Sequence, residues 1–110
     1  VVAIRVLKPN GGEHFQVGST MTVRVEVDST LIADAIVKIS FNGGMTWPLL
    51  TRNQSIPVFS RTFDFSWVIA DSIYDEDFTG TFTVSDSCLI RASDYDENHT
   101  DESDSLFSIQ

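Results

Sequence analysis

The chain has 110 residues, 42% of them hydrophobic, which suits one domain able to bury a core without metal or disulfide support. Sixteen acidic against seven basic residues leave a formal net charge of −9, which repels phosphate backbones and anionic lipid and argues against nucleic-acid or membrane-surface binding. The one cysteine excludes an intrachain disulfide and a multi-cysteine zinc centre.

The predicted elements are all strands. Residues 2–7 open the chain as a strand-like run, and Pro9-Asn10-Gly11-Gly12 makes a turn. Residues 20–28 alternate, with Met21, Val23, Val25 and Val27 on one face and Thr22, Arg24 and Glu26 on the other. Residues 35–41 repeat the pattern through Ala35, Val37, Ile39 and Phe41; the exception is Ile36, on the face of Lys38 and Ser40. Asn42-Gly43-Gly44 is a hairpin-turn signal, and residues 45–50 are expected to return as the partner strand, at an edge or with a bulge because of Pro48. Residues 51–60 are mixed and rich in turn formers. Residues 61–69 then place Phe63, Phe65, Trp67 and Ile69 on one face, and segments at 82–84, 88–92 and 106–109 complete the set. Short strands at this spacing predict an all-β fold, an antiparallel sandwich of about seven to eight strands. Most of the eight Phe are expected inside, as is Cys88 in its apolar run with Leu89 and Ile90. A catalytic thiol would find only His14 and His99 as partners, and both histidines read as surface residues.

Pro9-Asn10-Gly11-Gly12-Glu13, with Phe15 and Val17-Gly18-Ser19, is similar to the opening motif of the immunoglobulin-like or fibronectin-like repeats of secreted bacterial proteins. Ser40-Phe41-Asn42-Gly43-Gly44-Met45-Thr46-Trp47 resembles their central hairpin, and Phe65-Ser66-Trp67-Val68 a strand that follows it. Ser87-Cys88-Leu89-Ile90-Arg91-Ala92-Ser93 and residues 101–109 resemble the last two strands. A related sandwich occurs in a fungal family of Ser/Thr-rich, GPI-anchored cell-wall proteins. The usual Trp of the second strand is absent from Val23-Arg24-Val25-Glu26-Val27, and the usual Asp of the hairpin is Asn42. The resemblance implies an extracellular immunoglobulin-like β-sandwich, often appended to hydrolases, peptidases or surface proteins, and no particular activity.

Three groups of residues could carry chemistry. The hairpin residues Ser40, Asn42, Gly44, Thr46 and Trp47 also match the Asp-box of sialidase propellers, but a propeller needs several four-stranded blades. They are read as a self-contained turn in which Asn42 bonds backbone amides and the glycines supply positive φ. Two acidic loops offer oxygens to a hard cation such as Ca²⁺: Asp94, Asp96, Glu97 and Asp101 are the better set, Asp71, Asp75 and Asp77 the second. Neither matches an EF-hand, and a solvated acidic loop is the simpler reading. Tyr74, Phe78 and Tyr95 sit in loops and are candidate platforms for a sugar ring, whereas Trp47 and Trp67 are expected in the core.

Residues 1–110 are therefore expected to form one domain, cut from a longer secreted or cell-surface protein of bacterial source. The expected role is a non-catalytic accessory module that spaces or docks neighbouring domains of its parent chain, monomeric in isolation and without a required cofactor. The alternative is a carbohydrate-binding module that holds an attached enzyme on polysaccharide.

Overall fold

The computed structural model describes residues 4–28, 34–55, 61–74, 80–94 and 97–110, apart from the side chains of 51–55, Tyr74 and Thr81. Alternation becomes structure most directly in β3 (Thr20–Val27) and β6 (Thr62–Val68), which pair antiparallel without slippage from Thr20↔Val68 to Glu26↔Thr62. Because side chains alternate along a strand, Met21, Val23 and Val25 fall on one face, each fully buried, opposite Trp67, Phe65 and Phe63. Arg24 and Asp64 meet on the other face, in water, as a two-pronged pair at 2.8 and 3.0 Å.

β1 (Ile4–Lys8) joins the far side of β3 and completes a sheet of order β1-β3-β6. The second sheet has the order β2-β11-β9-β4-β5, with β2 (His14–Phe15), β11 (Phe107–Ile109), β9 (Ser85–Asp94), β4 (Asp34–Ser40) and β5 (Leu49–Ser55). Every pairing is antiparallel except β2 with β11, which is parallel. The opening of the chain thus serves both sheets, crossing from β1 to β2 through residues 9–13, where the Lys8–Pro9 peptide is cis. Gly11, at φ +143°, lies so close to Ser105 that an added Cβ would strike its hydroxyl.

The two sheets pack face to face as an all-β sandwich. Its core joins Ile4, Val6, Met21, Val23, Val25 and Phe63 of the first sheet to Ala35, Val37, Ile39, Cys88, Ile90 and Phe107 of the second. Phe15 meets Phe107 edge-on at 5.7 Å, so the two-residue β2 contributes to the core as well as to the sheet.

Eleven strands occur among the described residues, more than the seven or eight expected. β2 forms beyond the turn that follows the expected first strand, and β10 (Thr100–Glu102) forms ahead of the expected last strand, β11; β10 and β11 both pair with β9. A small hairpin of β7 (Ser72–Tyr74) and β8 (Gly80–Phe82) adds two more. No helix occurs among the described residues, and none is long and apolar enough to cross a membrane.

Four expectations are corrected. The strand after the hairpin turn is 49–55, not 45–50: Pro48 is buried just ahead of it, and its carbonyl accepts from Ile39 N at 2.9 Å. Proline lacks the N–H that a ladder needs, so pairing proper starts one residue later. The strand expected at 82–84 is displaced to 80–82: Phe82 and Val84 are 80% and 58% exposed, and only Thr83 turns in, its hydroxyl donating to the Ala70 carbonyl at 2.5 Å. Ile36 is buried despite lying with Lys38 and Ser40, because β4 is an inner strand and Ile36 sits opposite the buried Ser93 of β9. The acidic stretch that carries Asp94, Asp96, Glu97 and Asp101 is not wholly a loop, since Asp101 lies in β10.

Candidate functional site

The most developed polar constellation is the turn between β4 and β5. Ser40 is fully buried at the end of β4, and its hydroxyl donates to Asn42 Oδ1 at 2.8 Å while accepting from Gly44 N at 2.8 Å. Asn42 Oδ1 also accepts from Met45 N at 3.1 Å and Thr46 N at 3.0 Å, and Asn42 Nδ2 donates to Thr46 Oγ1 at 2.8 Å. Gly43 and Gly44 take φ values of +71° and +99°, which a β-carbon would oppose. Gly43 N reaches across to Ser87 O at 2.9 Å and ties the turn to the start of β9. Ser40, Asn42, Gly44 and Thr46 are thus brought together as the sequence predicts.

Trp47 differs from expectation. It is half-buried and lies outside the core, with the Arg91 guanidinium 4.1 Å from its ring centroid. Arg91 stands between the buried Ile90 and Ala92, so its side chain leaves the opposite face of the second sheet and Trp47 covers that face. Arg91 is held in turn by Glu102 Oε2 at 3.0 and 2.6 Å. On the same face Lys38 pairs with Glu97 at 3.1 Å. Lys38 and Arg91 are register partners on β4 and β9, so a stacked tryptophan and two ion pairs share one surface. Sequence alone missed this grouping; its one trace is that Lys38 and Arg91 each interrupt an apolar alternation. Trp67 does pack against the core, half-buried, and its Nε1 is buried without a hydrogen-bond partner among the described residues.

The carboxylates of the better calcium set go to separate tasks. Asp94 Oδ1 accepts from His99 N at 3.2 Å and closes the β9–β10 connection. Glu97, at φ +58°, pairs with Lys38. Asp101 Oδ2 accepts from Val6 N at 2.8 Å and so ties β10 to β1 of the facing sheet. Asp96 lies outside the described residues, as do Asp75 and Asp77 of the second set, whose Asp71 is exposed. No cluster of three or more His, Cys, Asp or Glu suited to a metal occurs among the described residues. Phe78 and Tyr95 also fall outside the described residues, and Tyr74 is placed only by its backbone in β7.

Both histidines are exposed. His14 Nδ1 lies 2.7 Å from Ser108 Oγ, a bond between register partners of the parallel β2–β11 pair. They line an open cavity of about 230 Å³ with Glu13, Asp86, Leu106 and Gln110. Cys88 is fully buried, and that burial pushes its thiol up to about 11, the opposite of what a nucleophilic thiolate requires.

Comparison with protein-family models, with curated proteins and with solved structures finds no match.

Proposed function

We propose that the chain is a non-catalytic accessory module of a secreted or cell-surface protein, bacterial in source, which spaces or docks the parts of its parent. The observation that carries this reading is where the polar motif residues are used: each joins one stretch of backbone to another. Ser40 and Asn42 close the β4–β5 turn. Glu13 accepts from the amides of Asn10 and Gly11 at 2.8 and 2.7 Å. Asn10 exchanges two bonds of 2.8 Å with Asp104. Ser103 donates to Pro9 O at 2.6 Å and accepts from Ile90 N at 3.0 Å. Residues used in this way make a rigid, turn-locked body, which suits a spacer or a docking platform. Catalysis would instead call for a desolvated acid or an activated nucleophile.

The test is retention on insoluble polysaccharide. The purified chain, mixed with cellulose, xylan, chitin or insoluble glucan, is expected to stay in the supernatant. Specific retention on any of them would overturn the proposal in favour of a carbohydrate-binding module.

A further inference from the structure

Exposed large hydrophobic side chains recur at one end of the sandwich among the described residues. Of the six large hydrophobic side chains exposed among the described residues, Val17, Met45, Val68, Phe82 and Val84 lie there, and Leu106 lines the cavity beside Asp86 and Gln110. Backbone bonds show that their segments are neighbours. Gly18 N donates to Ile69 O and Ile69 N to Ser19 O, binding the turn before β3 to the end of β6. Thr83 N donates to Asp71 O, and the Thr83 hydroxyl to Ala70 O, setting residues 82–84 beside 68–71. Val17 N reaches Gln110 O, and Ser85 Oγ reaches Phe41 O next to the turn that carries Met45. Side chains 38–83% exposed, gathered at one end of so small a fold, are the mark of a surface that meets something.

The charge around this end selects the partner. The segments that form it, residues 16–19, 41–46, 68–72, 80–87 and 110, contain Asp71 and Asp86, both exposed, and no Lys or Arg. The described basic residues sit on strands β1, β3, β4, β5 and β9, or at Arg61, whose carbonyl bonds Val27 N at the opposite end. A second copy docking through the same end would bring like charges together, and anionic lipid would be repelled. We propose that this apolar, acid-rimmed end is a docking surface for a protein segment whose apolar side chains are flanked by Lys or Arg. The proposal rests on the docking reading above and gives that reading a location and a partner chemistry.

The test uses the ¹⁵N-labelled chain with a short synthetic peptide of alternating leucine and lysine, and a control peptide with glutamate in place of lysine. The lysine peptide is expected to shift the amides of residues 17, 68, 82 and 84, and added salt should weaken it. Phe82→Ser with Val84→Ser should weaken binding at least about tenfold; both side chains are exposed, so the fold is retained. Asp71→Asn with Asp86→Asn should flatten the salt dependence. The proposal fails if shifts are absent or centre on residues 97–104, if the glutamate peptide binds equally well, if the chain dimerises through this end, or if neutral phosphatidylcholine vesicles capture it. Polysaccharide retention bears on the accessory role and the amide shifts on this surface, so failure of one is distinguishable from failure of the other.

Discussion

Three donors converge on one oxygen at Asn42: the Ser40 hydroxyl and the amides of Met45 and Thr46, at 2.8, 3.1 and 3.0 Å. A carboxylate at that point would accept the same bonds with charge assistance. The one bond that the Asn42 side chain donates, to Thr46 Oγ1, can be reversed by rotation of the threonine hydroxyl. Asn42→Asp is therefore expected to stabilise the chain by about 0.5–1 kcal/mol, while Asn42→Ala leaves the donors unmet and costs about 1–2 kcal/mol. A thermal melt in which the aspartate variant unfolds below the parent would show that the amide's donor matters more than the charge. Cys88 gives a second residue-level expectation. Burial raises its thiol to about 11 from 9.0, so between those values the unfolded chain loses its proton while the folded chain keeps it. The resulting stability is fully present below pH 9 and is lost as pH rises through 11, by at most about 3 kcal/mol. Urea midpoints from pH 8 to 11 should fall more steeply for the parent than for Cys88→Ala; parallel profiles would refute this.

Between elements, Ser103 is a small pin with a large reach. Its hydroxyl, almost fully buried, joins the Pro9 carbonyl at the crossover to the Ile90 amide in β9. Removing it leaves two buried backbone groups unpaired, so Ser103→Ala is expected to cost about 2–3 kcal/mol, read as a fall in the urea midpoint with unchanged slope. A loss below about 0.5 kcal/mol would mean that water replaces the hydroxyl. The same contrast between local and distant partners explains what could be read in advance. Alternation identifies β3 and β6 because each presents a single face to the opposite sheet. It fails for β5, where Leu49-Leu50-Thr51-Arg52-Asn53-Gln54-Ser55 has no period of two and the register with β4 shifts twice. It fails for β7 and β8 because that hairpin belongs to neither main sheet. The 40–46 turn is legible because its partners lie within four residues. The stacking of Arg91 on Trp47 and the bond from Val6 to Asp101 join residues far apart in the chain, and nothing in the local pattern announces them.

For the whole molecule the governing quantity is the net charge of −9. Four ion pairs occur among the described residues: Arg5–Glu26, Arg24–Asp64, Lys38–Glu97 and Arg91–Glu102. The Arg24 guanidinium beside Asp64 holds that carboxyl below the usual range. Even so, both side chains of the Arg24 pair are more than 40% exposed, and pairs in water contribute little. The uncompensated acids repel one another across the surface, and salt screens that repulsion with a Debye length of about 10 Å at 0.1 M. Raising NaCl from about 0.02 to about 0.2 M should therefore raise the melting temperature, by about 4 °C for a gain of about 1 kcal/mol. A fall would show that the pairs outweigh the repulsion. The same measurement separates screening from site binding. Asp94, Glu97 and Asp101 each already accept a protein partner. Calcium chloride at matched ionic strength should then do no more than sodium chloride; a further rise, reversed by chelator, would mean that a cation displaces those partners and occupies the acidic loop.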